Sequence, residues 1–222
     1  MTKYNPAPIP TVYVVDDDES VRESLSSLIR SAEMSVEVFA SPLDFLALDK
    51  LSDFACIVLD VRMLGIDGFA LQDKLAERGG NMPIIFITGH GDVPLAVRAM
   101  KAGAIDFLNK PFNDTDLLQA IAQALSRVSA ASHERMELAD LSQRFDTLTP
   151  REKQILLEVA QGKQNKRIAF DLCVTESTVK VHKHNAMTKM CLRSIAELTL
   201  ALQRLKKTHA LFDGSVGRRL AP

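Results

Sequence analysis

The chain has 222 residues, 46% of them apolar and 25% charged, enough for one large or two small globular domains. No window approaches the ~18 continuous apolar residues of a membrane span, the first ten residues lack a signal-peptide stretch, and three scattered cysteines support neither disulfides nor zinc, so a cytoplasmic protein without a membrane partner is expected. The net charge of −1 hides a polarity: residues 1–144 carry 13 basic and 21 acidic side chains, whereas 145–210 carry 12 and 6, so the basic back half suits nucleic acid.

From residue 11 to about 128, short β-branched runs alternate with segments of helical period. Strands are predicted at TVYVV (11–15), SVEVFA (35–40), FACIVLD (54–60), PIIFIT (83–88) and AIDFL (104–108). Helices are predicted over 19–32, 42–50, 69–79 and 92–103, and a fifth begins near Asn113. Five such units predict a doubly wound parallel sheet, covered on both faces, with its chemistry at the carboxyl ends of the strands. The apolar stripe Leu118, Ile121, Leu125 and Val128 fades through Ser129–Ser132 and returns at Leu138, Leu141 and Phe145. A helical linker over 129–146 is expected, with a weak point near the four residues SAAS.

Thr149-Pro150-Arg151-Glu152 is a helix start, with threonine as N-cap, proline at the first helical position and glutamate completing a capping box. The helix runs to Gly162, a shorter one covers 165–172, a tight turn follows at Cys173-Val174, and a long helix starts at Glu176 behind Thr175. This is a helix-turn-helix arrangement, in an all-α domain placed at 147–208. A fourth helix (193–207) aligns Ile195, Leu198, Leu202 and Leu205, read as a dimer seam with packing on the domain's own core as the competing reading. Residues 209–222, with Gly214 and Gly217, read as a disordered tail.

Asp16, Asp17 and the neighbouring Asp18 follow the first strand, Asp60 ends the third, Thr88 ends the fourth, and Lys110 follows the fifth. If the first strand lies beside the third, these groups converge in one crevice. Crowded carboxylates repel one another unless a cation sits among them, and an all-oxygen ligand set favours Mg²⁺. A metal, a spare carboxylate, an ammonium and a hydroxyl suit phosphoryl transfer, with Asp60 as the nucleophile that forms an acyl phosphate. A phosphatase of the haloacid-dehalogenase type is the enzymatic rival, but it needs an acid two residues after the nucleophile, where Arg62 stands. A binding module with a vestigial acidic pocket is the third reading. In the second domain, Val179, Ala186, Met187 and Met190 are expected to face inward on a recognition helix spanning Glu176–Met190. That leaves Lys180, Val181 and His184 for base edges, and Lys166, Arg167, His182 and Lys183 for phosphates.

The segments VYVVDDDESVR, VLDVRM, ITGHGDVPLAVRAMKAGAIDFLNKPF and LTPREKQILLEVAQGKQNKRIAFDLCVTESTVKVHKHNAMTKM together resemble the FixJ-type response regulators with a LuxR-type helix-turn-helix, over about residues 10–207. The resemblance implies a non-enzymatic transcription regulator of a two-component system, with a receiver domain over 10–128. It implies that Asp16 and Asp17 hold Mg²⁺ with Asp60 and the backbone carbonyl of Arg62, and that Asp60 accepts a phosphoryl group from a sensor histidine kinase. Thr88 and Lys110 would grip the phosphoryl oxygens, Phe107 would be the aromatic switch, and Lys110-Pro111 would be a cis peptide. Lys180, Val181 and His184 match the base-contacting positions. Promoter DNA and a second copy of the chain, in the phosphorylated or DNA-bound state, are the implied partners, with RNA polymerase a further candidate. One departure stands out: Leu64 occupies a position where the family usually has proline, and a looser loop after Asp60 is expected.

Overall fold

The computed structural model describes residues 9–78, 82–91 and 93–209. The chain divides into two compact units, between Ser132 and His133. In the first unit β1 (Thr11–Val15), β2 (Ser35–Phe39), β3 (Ala55–Asp60), β4 (Ile84–Thr88) and β5 (Asp106–Asn109) alternate with α1 (Glu19–Ser31), α2 (Pro42–Leu46), α3 (Gly68–Glu77), α4 (Val93–Lys101) and the first part of α5 (Asp114–Asp146), which continues past Ser132 into the second unit. Among the described residues these strands form one parallel sheet, ordered β2-β1-β3-β4-β5. The expected α/β architecture is therefore present, and β1 does lie beside β3.

Every residue of β1, β3 and β4 is buried, whereas β2 and β5, at the sheet's two edges, are half-exposed. Continuous apolar runs are what a strand covered on both faces requires. Side chains alternate between the faces with a period of two. Val12, Val14, Val58, Ile85 and Ile87 meet Leu25 and Ile29 of α1 and Leu117 and Ile121 of α5 on one face. Tyr13, Val15, Ile57, Leu59 and Phe86 meet Phe45 of α2, Phe69 of α3 and Ala99 of α4 on the other.

Some boundaries differ from the sequence expectation. Helix α2 stops at Leu46 instead of reaching residue 50, and β5 begins at Asp106, behind the buried Ala104 and Ile105. Residues 129–146 are helical, but Ser129–Ser132 do not interrupt α5. Ala130 and Ala131 are strong helix formers, so the fading stripe marks lost packing and not a broken helix. Residues 129–137 are all exposed, while Leu138, Leu141 and Phe145 pack on the second unit's core.

That second unit contains α6 (Pro150–Ala160), α7 (Asn165–Asp171), α8 (Glu176–Lys189) and α9 (Ile195–His209). The capping box of α6 is complete: Glu152 N–H donates to Thr149 Oγ1 at 3.3 Å, and Thr149 N–H donates to Glu152 Oε2 at 2.8 Å. Between α7 and α8, Cys173 adopts φ +51° and Val174 N–H closes onto Ala169 O at 3.0 Å, before Thr175 caps α8. Three of the four positions in the α9 stripe are not free to form a dimer seam. Leu198, Leu202 and Leu205 are buried at 0%, 6% and 4% exposure among Ile155, Leu156, Ile168 and Val179, so the competing core reading holds for these three; Ile195 is half-exposed. His209 belongs to α9, and the remainder of the expected tail, 210–222, lies outside the described residues.

Candidate functional site

Because β1 and β3 are neighbours, the loop after β1 and the end of β3 bring Asp16, Asp17 and Asp60 together, with one carboxylate oxygen of each within 4.8 Å of the others. Asp16 is fully buried and Asp60 nearly so, whereas Asp17 is exposed. Lys110, just beyond β5, reaches back to place its Nζ 2.6 Å from Asp16 Oδ2 and 3.6 Å from Asp60 Oδ1. Its peptide bond to Pro111 is cis.

Each carboxylate of the cluster has a different set of partners. Asp16 Oδ1 accepts the Asp18 N–H at 2.9 Å, and Arg22 Nη1 of α1 donates to the Asp16 carbonyl at 2.8 Å. Asp17 Oδ2 accepts the Leu64 N–H at 3.3 Å. Asp18 is not part of the cluster, because its Oδ1 caps α1 by accepting from Ser20 N–H at 2.8 Å. Asp60 Oδ1 is buried with no hydrogen-bond partner among the described residues. Burial pushes the Asp60 carboxyl up to about 6, with Asp16 and Asp17 adding to the rise and the Lys110 ammonium opposing it.

Thr88 ends β4 fully buried, and its hydroxyl oxygen accepts the His90 N–H at 3.2 Å. Phe107 is half-buried against the Phe69 and Phe86 side of the core. Arg62 and Leu64 are exposed in the loop between β3 and α3. Gly68 opens α3 directly beneath the site: its N–H donates to Val61 O at 3.0 Å, and a Cβ there would sit 2.5 Å from Asp60 O. Arg22 and the Leu64 N–H were not legible in the sequence as site groups, because neither is at a strand end.

In the second unit, Val179, Ala186 and Met190 are buried and Met187 is half-buried, as expected of an inward face. Lys180, Val181 and His184 of α8 are exposed, and His182 and Lys183 are half-buried. Lys180, Lys183, His184 and Met187 line a groove of about 430 Å³ with Asn165 of α7 and Arg193. Sequence reasoning missed Asn165 and Arg193, which lie outside α8 and are joined to its face only by folding. Lys166 and Arg167 are exposed on α7, where Arg167 Nε also pairs with Asp171 at 3.0 Å. The acidic crevice can hold a hard cation and a phosphoryl group, and the basic groove can hold a polyanion.

Comparison with known proteins gives both units close relatives. Residues 12–122 match the family described as the response regulator receiver domain, and residues 146–202 match the bacterial regulatory proteins of the luxR family. The response regulator protein TmoT of Ectopseudomonas mendocina is 46% identical over 88% of this chain and 89% of its own. The transcriptional regulatory protein FixJ of Azorhizobium caulinodans is 44% identical over 84% of this chain and 89% of its own. Among solved structures, the response regulator StyR is similar with a TM-score of 0.76 and 47% identity, covering 89% of this chain and 100% of StyR.

Proposed function

The chain belongs to the DNA-binding response regulators of two-component systems, with a receiver domain and a LuxR-type helix-turn-helix, and from this we propose that phosphorylation of Asp60 by a sensor histidine kinase switches its binding to promoter DNA. The observation that carries the reading is the environment of Asp60: a buried carboxylate with an orphaned Oδ1, an ammonium 3.6 Å away and two further carboxylates beside it. An Asp60 carboxylate oxygen attacks the phosphorus of a phosphohistidine, the P–N bond breaks, and the imidazole leaves with the bonding electron pair and takes up a proton. Lys110 balances the negative charge that gathers on the phosphoryl oxygens, and Thr88 offers its hydroxyl to one of them.

The donor set fits Mg²⁺, since the three carboxylates supply oxygen only and one buried oxygen has no hydrogen-bond partner among the described residues. Asp16, Asp17, Asp60 and the backbone carbonyl of Arg62 are the proposed ligands. Bound Mg²⁺ would supply positive charge against the phosphoryl oxygens. Movement of Thr88 and of the Phe107 ring toward the modified Asp60 would bias the surface of α4 and β5 between two states. We place the receiver at 10–128, a helical linker at 129–146 and the DNA-binding domain at 147–208.

In that domain Lys180, Val181 and His184 read base edges, while Lys166, Arg167, His182 and Lys183 hold phosphates. The protein acts as a regulator with no turnover of a diffusible substrate, in the cytoplasm, as a homodimer when phosphorylated or on DNA, and RNA polymerase is its partner there. Among the described residues no helix is long and apolar enough to cross a membrane. The decisive experiment treats the protein with acetyl phosphate and Mg²⁺, weighs it intact, and titrates promoter DNA. The expected result is one added phosphoryl group, lost in Asp60→Asn, together with tighter DNA binding; a phosphorylated Asp60→Asn protein would refute the assignment.

A further inference from the structure

We infer that the backbone N–H of Leu64 is a positioning group for the metal site, holding Asp17 in place beside Asp16 and Asp60 and thereby raising the chain's affinity for Mg²⁺. The inference rests on the proposal above that these three carboxylates are the Mg²⁺ ligands. Asp17 is the exposed member of the cluster, so packing alone does not fix its side chain. Its Oδ2 instead accepts the Leu64 N–H at 3.3 Å, a bond that joins the loop after β1 to the loop after β3 across 47 residues of sequence. The Leu64 side chain is 87% exposed, so residue 64 acts on the site through its backbone and not through burial. Gly65 follows with φ +88°, a left-handed residue in the same loop.

A carboxylate offers about four acceptor positions, so one N–H leaves Asp17 free to ligate a cation. The hydrogen bond and the metal therefore do not compete for the same lone pair. The tether reduces the freedom that Asp17 would lose on binding the ion, and hydrogen bonds to ligating side chains tune metal affinity in this way. Proline, the residue without a backbone N–H, cannot form this bond, whereas alanine can.

Calorimetric titration of the full chain with MgCl₂ alone tests the inference. Leu64→Pro should weaken Mg²⁺ binding roughly tenfold, the low end for a lost partner of a ligating side chain, and Leu64→Ala should bind as the unmodified chain does. Since proline also restricts Met63, amide hydrogen exchange supplies a measurement independent of that variant. In EDTA the Leu64 amide of the otherwise unmodified chain should be protected, and Asp17→Ala should accelerate its exchange. Unchanged Mg²⁺ affinity in Leu64→Pro, or Leu64 exchange indifferent to Asp17→Ala, would overturn the tether while leaving the metal site intact. An unmodified chain that binds no Mg²⁺ would instead overturn the metal reading and the tether with it.

Discussion

For the proposed role, Asp60 must be buried enough to exclude water from an acyl phosphate, yet ionised enough to act as a nucleophile and ligand. Burial wins in the metal-free protein, and the carboxyl titrates near 6 instead of 3.8. Between those two values the folded state holds a proton that the unfolded chain has released, so stability contributed by that proton is present at low pH and lost as pH rises through about 6. In EDTA, thermal stability should therefore fall from about pH 5 to pH 7, and Asp60→Asn should flatten that part of the profile. The same proton competes with the cation. Mg²⁺ affinity should weaken below pH 6, approaching about tenfold per pH unit for one displaced proton, which calorimetry across pH would measure. On the DNA side, Lys180→Ala should cost roughly 1–3 kcal/mol on the preferred site and relax one base preference. Lys166→Ala should weaken all sequences alike and reduce the salt slope by about 0.9, and titrations against specific and scrambled duplexes separate the two.

The helices of the DNA-binding unit are held by a few contacts that local sequence only half reveals. Glu152 completes the α6 capping box, as its spacing from Thr149 foretells, but its Oε2 also accepts Lys189 Nζ of α8 at 2.8 Å. The Lys189 hydrogen bond, with the Thr149 N–H, holds the Glu152 carboxyl below the usual glutamate range. Glu152 thus ties the start of α6 to the last turn of α8. Glu152→Gln should destabilise this unit by about 1.5–3 kcal/mol, the range for a hydrogen bond to a charged group, as read by denaturant unfolding. On α9, Leu202→Ala should cost about 2–5 kcal/mol because it empties a core position, whereas Leu200→Ala, at a site 61% exposed, should change stability by no more than about 0.5 kcal/mol. Equal effects would mean that the α9 stripe faces solvent after all.

Across the whole molecule, charge is divided as function is, with a net −8 over residues 1–144 and +6 over residues 145–210. An acidic domain tethered to a basic one lowers the local potential that attracts DNA phosphates. The isolated DNA-binding unit, which has its own core, should therefore bind non-specific duplex several-fold more tightly than the full unphosphorylated chain at low salt. That gap should narrow as the Debye length contracts from ~30 Å at 0.01 M to ~8 Å at 0.15 M. Fluorescence anisotropy at both salt concentrations would measure it, and a gap independent of salt would assign the difference to steric masking.

Local chemistry was enough to determine much of this protein from its sequence. Strand and helix periods, the Thr149-to-Glu152 capping box and the positions of Asp16, Asp60, Thr88 and Lys110 at strand ends all depend on residues close in the chain or on the general rule that open parallel sheets react at their carboxyl edges. Tertiary structure decided what depends on residues far apart. It made Asp18 a helix cap, left Asp60 Oδ1 without a hydrogen-bond partner among the described residues, turned Leu198, Leu202 and Leu205 of α9 inward and brought the Leu64 N–H to Asp17. An amphipathic stripe states that a face must be covered but not by what, and a backbone N–H carries no mark in the sequence of the acceptor it will meet.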